Sequence, residues 1–136
     1  MTFSKDVARR APVVAEAVVS LADLTSGVAL PVFDIPSGAV IDELYGHLEQ
    51  VFNSTTSDSI KIGDGTDDDR FLAATNVTTG QALGYKAGAA TGRGYKLSSG
   101  DTIDLVWTSG GGTPTTGRIR LVCRYYMTGQ ADYVQR

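Results

Sequence analysis

Toward the end of the chain, hydrophobic and polar positions alternate without interruption. In "DTIDLVWT", residues 101–108, Ile103, Leu105 and Trp107 fall on one side against Thr102, Asp104, Val106 and Thr108. In "GRIRLVCRYYM", residues 117–127, Ile119, Leu121, Cys123, Tyr125 and Met127 oppose Arg118, Arg120, Val122, Arg124 and Tyr126. A period of two is the mark of a half-buried strand, because successive side chains of a strand point to opposite faces. The glycine-rich "SGGGTPTTG" between them predicts that the two pair as one long hairpin.

Shorter segments of the same kind precede them. "VVAEAVVSLA", residues 13–22, is rich in small and β-branched residues, and "GVALPVFDIP", residues 27–36, predicts a strand whose Pro31 marks an edge or a bulge. "SIKIG" leads into an aspartate-rich loop, "FLAAT" continues beyond it, and "QALGYKAG" and "GYKLS" are short pieces bounded by glycine. One segment resists this scheme. In "AVIDELYGHLEQVF", residues 39–52, the apolar residues Val40, Ile41, Leu44, Tyr45, Leu48, Val51 and Phe52 recur at helical spacing, with Ser37 available as a cap. Gly46 in its middle opposes a helix, and alternation also fits, with Val40, Leu44, Leu48 and Phe52 on one face. The pattern leaves helix and strand open there.

About eight strands without a βαβ rhythm predict an all-β chain, an antiparallel β-sandwich or barrel. Residues 13–136 form a single domain on this reading. Residues 1–12, "MTFSKDVARRAP", lack apolar periodicity and are expected to be an extended arm bearing Lys5, Arg9 and Arg10. A chain of 136 residues with 42% hydrophobic content is long enough to build a core unaided.

Charge sharpens the picture. The net charge of −3 hides two unlike halves: residues 1–69 hold four bases against twelve acids, net −8, and residues 70–136 hold eight bases against three acids, net +5. Such polarity lets neighbouring subunits attract one another, whereas a nucleic-acid binder is more often basic throughout. No run approaches the roughly 20 apolar residues that span a bilayer, and no signal-peptide pattern follows the first charges. The single cysteine excludes an internal disulfide and fits synthesis in a reducing cytoplasm.

Candidate chemistry is sparse. Asp64, Asp67, Asp68 and Asp69 in "IKIGDGTDDDRF" offer oxygen ligands to a hard cation, but a calcium loop begun at Asp64 needs glycine at its sixth position and glutamate at its twelfth, where this chain has Asp69 and Thr75. A solvated turn whose aspartates accept bonds from their own backbone, with Arg70 as counter-charge, is the expected state, and no metal is assigned. His47 is the sole histidine and lies in an apolar segment, while Cys123 shares a strand face with Ile119, Leu121 and Tyr125 and is expected to be an inert core thiol. No catalytic residue and no cofactor site is assigned, so an enzyme is not expected. "ATGRGYK" matches neither a phosphate loop nor a dinucleotide fingerprint. Arg118, Arg120 and Arg124 form a guanidinium row opposite the core, serving either as a solvated face or as an interface that pairs with carboxylates. Tyr126 beside them is an anchor for such an interface.

The order of these features carries a resemblance. "LPVFDIPSGAVIDELYGHLEQVFNSTTSDSIKIGDGTDDDRFLAAT", then "SSGDTIDLVWT" and "TTGRIRLVCRYYMTGQADYV", resembles small virion proteins of tailed bacteriophages, particularly head decoration (cement) proteins, over most of residues 28–134. The resemblance implies a jelly-roll-like sandwich, assigns residues 39–52 to a strand and makes the aspartate run a hairpin loop. It further implies a homotrimer on the capsid surface of the virion, made in the host cytoplasm, that binds assembled major capsid protein through Arg9, Arg10, Arg118, Arg120, Arg124 and Tyr126. Neither nucleic acid nor membrane is an expected partner. The alternatives are a phage tail or fibre-tip component and a glycan-binding module, the latter requiring exposed aromatic residues such as Trp107 or Tyr95.

Overall fold

The structure is a computed structural model that describes residues 11–128; the arm with Arg9 and Arg10 lies outside the described residues, apart from residues 11 and 12. Nine strands follow one another: β1 (Val13–Ser20), β2 (Ala29–Ile35), β3 (Ala39–Gln50), β4 (Asp58–Gly63), β5 (Leu72–Asn76), β6 (Gly84–Lys86), β7 (Tyr95–Lys96), β8 (Asp101–Ser109) and β9 (Arg118–Met127). They form two sheets. The first has the order β1-β9-β3-β6, with β7 also on β3, and the second β2-β8-β4-β5. All pairs between these strands are antiparallel. Wrapping the outer pair β1 and β2 onto β9 and β8 in this way is the connectivity of a jelly roll. The expected all-β sandwich is the observed fold.

One expected pairing is not formed. β8 and β9 are not a hairpin: β8 lies between β2 and β4, and β9 between β1 and β3 in the opposite sheet. Alternation fixes which face of a strand is buried but says nothing about its neighbour. Here the two apolar rows, Ile103–Leu105–Trp107 and Ile119–Leu121–Cys123, are buried in one core from opposite sheets. The glycine-rich segment 110–117 spans the gap of about 10 Å between packed sheets.

β3 resolves the helix-or-strand question. It is a strand of twelve residues, with register shifts against β9 between Ile41 and Glu43 and between Leu48 and Gln50. Each extra residue changes which parity faces inward. Ala39 and Ile41 point into the core before the first bulge, and Leu44 and Leu48 after it. Ile41, Leu44 and Leu48 therefore recur at three and four residues, which mimics a helix. Val40 is buried yet stands outside the core cluster, so its expected place on the face of Leu44 is corrected by the bulge. Pro31 sits as anticipated on the edge strand β2, at a register shift before Phe33.

The core includes Phe52, Phe71, Ile60, Ile62 and Trp107. Cys123 is fully buried among them, and burial pushes its thiol up to about 12, which removes the thiolate needed for reactivity. Among the described residues no helix is long and apolar enough to cross a membrane.

Candidate partner interface

The aspartate loop follows β4 directly. Asp64 is buried, and its Oδ1 accepts hydrogen bonds from the backbone N–H groups of Thr66 and Asp67, each at 2.9 Å, while Arg70 Nε donates to Oδ2 at 2.6 Å. Burial alone raises a carboxyl pKa; these donors outweigh it, and Asp64 is held below the ordinary value of 3.8. Arg70 in turn lies over the Tyr95 ring, 3.9 Å from its centroid. The loop thus closes on its own backbone and on Arg70, as the aspartates' turn chemistry predicts. Asp67, Asp68 and Asp69 stay at the surface with carboxylate oxygens within 4.8 Å of one another, and Lys61 Nζ donates to Asp68 at 2.5 Å.

The arginine row occupies the outer face of the first sheet. β9 runs down its middle, and β3 brings carboxylates alongside. Arg118 Nε meets Glu49 at 2.9 Å and Arg120 Nε meets the other Glu49 oxygen at 3.4 Å. Arg124 bonds Asp42 at 2.7 Å and Glu43 at 3.2 Å, which holds its guanidinium more firmly protonated than usual. The expected ladder of guanidiniums is real, and its first carboxylate partners are supplied by the same chain. The bulge at Asp42–Glu43 brings both acids within reach of one arginine. Tyr126 lies opposite Val40, half-buried at the end of the row. Arg9 and Arg10 fall outside the described residues.

On the other side of β9, the face has no such pairing. β1 sets Val14 opposite Arg124 and Val18 opposite Arg120, and these valines are 61% and 52% exposed. Tyr85, on β6 at the far edge, is 59% exposed beside Tyr45. Sequence reading missed these positions because a lone valine or tyrosine carries no sign of its exposure. The signal available was the absence of any Lys or Arg between residues 11 and 39.

Trp107 and Tyr95, the two aromatic residues named for a glycan module, are already occupied. Trp107 is only 4% exposed, packs on Phe52, and donates from Nε1 to Asp58 at 2.9 Å. Tyr95 is half-buried beneath Arg70.

No family model matches the chain, and no curated protein matches its sequence. Solved structures do match its fold. A chain from the capsid asymmetric unit of cyanophage Pam1 superposes with a TM-score of 0.69 at 18% identity, covering 87% of this chain and 86% of that one. A chain from the acid-stable capsid of the Helicobacter pylori bacteriophage KHP30 gives 0.66 at 14% identity, covering 85% and 87%. One from the capsid of Ralstonia phage GP4 gives 0.62 at 18% identity, covering 93% and 90%. In each pair the likeness runs through nearly the whole of both chains, so what is shared is an entire small jelly roll.

Proposed function

We propose that the chain is a structural component of a phage head: a decoration (cement) subunit that binds assembled major capsid protein as a homotrimer and stabilises the shell without catalysing any reaction. The observation that carries this reading is the whole-chain likeness of its jelly roll to chains from three phage capsids. The site chemistry agrees with it. The charged groups on the outer sheet face form an ion-pair ladder, and the one buried thiol is inert. A cement subunit acts by covering surface on two neighbours at once. Exposed ion pairs each contribute roughly 0 to 1 kcal/mol, so buried apolar area supplies the affinity and the arginine row sets register.

The test is reconstitution. Heads that lack this protein are expected to release DNA at a lower temperature than complete heads, and added purified protein is expected to restore the difference. Removing residues 1–12, with Arg9 and Arg10, is expected to weaken that rescue. Undecorated heads as stable as complete ones would sink the cement role, and recovery of the chain only in tails would favour the tail component.

A further inference from the structure

The large apolar side chains left exposed among the described residues gather at two places. Val13, Val14, Val18 and Val28 lie along the lateral edge formed by β1 and β2; Leu83 and Tyr85 lie along the opposite edge, at β6. The charges divide in the same way. Residues 11–39 carry Glu16, Asp23 and Asp34 and no Lys or Arg, whereas residues 77–100 carry Lys86, Arg93 and Lys96 and no Asp or Glu. The strands β1 and β2 themselves bring only acids to one edge, beside the arginine row of β9, and β6 and β7 themselves bring only bases to the other. From this complementarity we propose that copies of the chain associate head to tail, the β1–β2 edge of one docking against the β6–β7 edge of the next.

Strand geometry supports the match. A single cross-strand row runs from Val18 through Arg120 and His47 to Tyr85. The two exposed side chains at its ends therefore stand at the same height on opposite edges. Rotation about an axis parallel to the strands brings Val18 of one copy to Tyr85 of the next. Because the four strands of this sheet alternate in direction, β1 and β6 run antiparallel, and their approach continues the pattern of the sheet. The next row runs from Val19 through Ile119 and Leu48 to Gly84. Val19 lines a cleft of about 260 Å³ between β1 and β2, with Ala17, Leu30, Pro31 and Val32 on its walls and Asp23 at the rim. Leu83, one residue before Gly84, arrives within one residue of the height of that cleft.

β1 has few of the devices that protect an edge, Glu16 being its one charge. β2 has Pro31 and a register shift, and β6 and β7 are only three and two residues long. β1 runs eight residues in unbroken register with β9, with no proline and no lysine. Long edges rich in exposed apolar side chains are normally covered. An isologous pairing of β1 with its own copy would set acids against acids and leave Leu83 and Tyr85 in water. A head-to-tail contact covers both edges, and with a rotation that closes it makes a ring. The number three comes from the decoration reading; the contact itself does not depend on it.

The test is charge exchange read by light scattering of the purified chain at micromolar concentration. The wild type is expected to form one closed species of three chains. Val18→Lys sets an unpaired ammonium beside its own Arg120 and across from Tyr85, and Tyr85→Glu sets an unpaired carboxylate across from Val18 and near Glu16, so each alone is expected to reduce the mass threefold. The double variant, in which every contact joins lysine to glutamate, is expected to recover the ring. Both positions are exposed, so circular dichroism should show folded monomers. Should either single variant fail to fold, Val18→Cys with Tyr85→Cys in one chain gives disulfide-linked multimers under oxidation, and neither cysteine alone does. A monomeric wild type, dissociation by Val18→Lys but not by Tyr85→Glu, or a double variant that stays monomeric would overturn the contact. A ring that never binds heads would leave this contact standing and refute the cement role, while a monomer that stabilises heads would do the reverse.

Discussion

Two buried carboxylates bracket β4 and hold opposite ends of the sandwich together by different chemistry. Asp58, the first residue of the strand, gathers neutral donors: the Ser54 N–H at 2.8 Å, the Ser54 hydroxyl at 2.5 Å and the Trp107 indole at 2.9 Å. Ser109 extends the network, its hydroxyl 2.7 Å from that of Ser54. Asp64, just beyond the strand's other end, pairs with the guanidinium of Arg70 and with its own loop. Asp58 ties three separate parts of the chain into the core, whereas Asp64 organises one loop at the surface. A buried acceptor shared by several elements is the harder one to lose, because water cannot replace it.

That contrast sets the order of effects. Asp58→Ala strands the Trp107 and Ser54 donors in a dry site at about 1 to 3 kcal/mol each, so a loss of about 3 kcal/mol or more is expected. Thermal unfolding should then fall by roughly 10 °C. Asp64→Ala leaves Arg70 stacked on Tyr95 and able to reach Asp67, with water close by, and is expected to cost about 1 to 2 kcal/mol. Equal melting temperatures for the two variants would erase the distinction between core hub and loop hub.

The pH dependence sharpens it further. Asp64 has a folded pKa below its ordinary value of 3.8, so its contribution is complete above that pH and is lost as pH falls through the depressed value. The stability gap between wild type and Asp64→Asn should be constant near neutrality and narrow below about pH 4. Chemical denaturation at a series of pH values measures it; a gap that widens on acidification would mean that the carboxylate is not stabilised by Arg70 and the loop.

The two hubs were unequally visible in the sequence. "GDGTDDDR" advertises a carboxylate loop with its counter-charge, and the ligand spacing already argued for turn chemistry. Asp58 stands in "NSTTSDS", which looks like any polar turn, and its partner Trp107 lies 49 residues away. Alternation placed Trp107, Cys123 and the arginine row on their correct faces, because a strand's period is local. It could not tell that β8 and β9 belong to different sheets, since pairing is decided by topology. It also misled in β3, where a bulge moves the inward face by one residue and leaves a helical signature. The charge asymmetry of the chain was legible, but its division between two edges appears only once β1–β2 and β6–β7 occupy opposite sides of the sandwich.

A smaller effect separates the arginine row from both hubs. Glu49→Gln removes the carboxylate shared by Arg118 and Arg120 at a solvated face, where exposed pairs contribute roughly 0 to 1 kcal/mol. Stability should barely change, and adding salt should reduce the difference further. On the proposed decoration role, the freed guanidiniums should hold an acidic partner more strongly, so the variant is expected to bind heads at least as well as wild type. A fall in binding would mean that the ladder matters as a rigid surface and not as a set of cations.

The smallest expected effect is that of metal removal. Calcium takes six to eight oxygen ligands, and the surface cluster offers the carboxylates of Asp67, Asp68 and Asp69, of which Asp68 is already engaged by Lys61. Asp64, the buried oxygen donor nearest in sequence, is committed to backbone N–H groups and Arg70. The neighbouring Asp67 carboxyl, sharing a hydrogen bond with Asp69, raises the Asp69 pKa. The melting temperature is therefore expected to be the same in chelator and in millimolar calcium. A rise with calcium that disappears when Asp67 and Asp68 are both replaced by asparagine would show that the cluster completes a coordination shell, and would turn the less stabilising end of β4 into the one that responds to ligand.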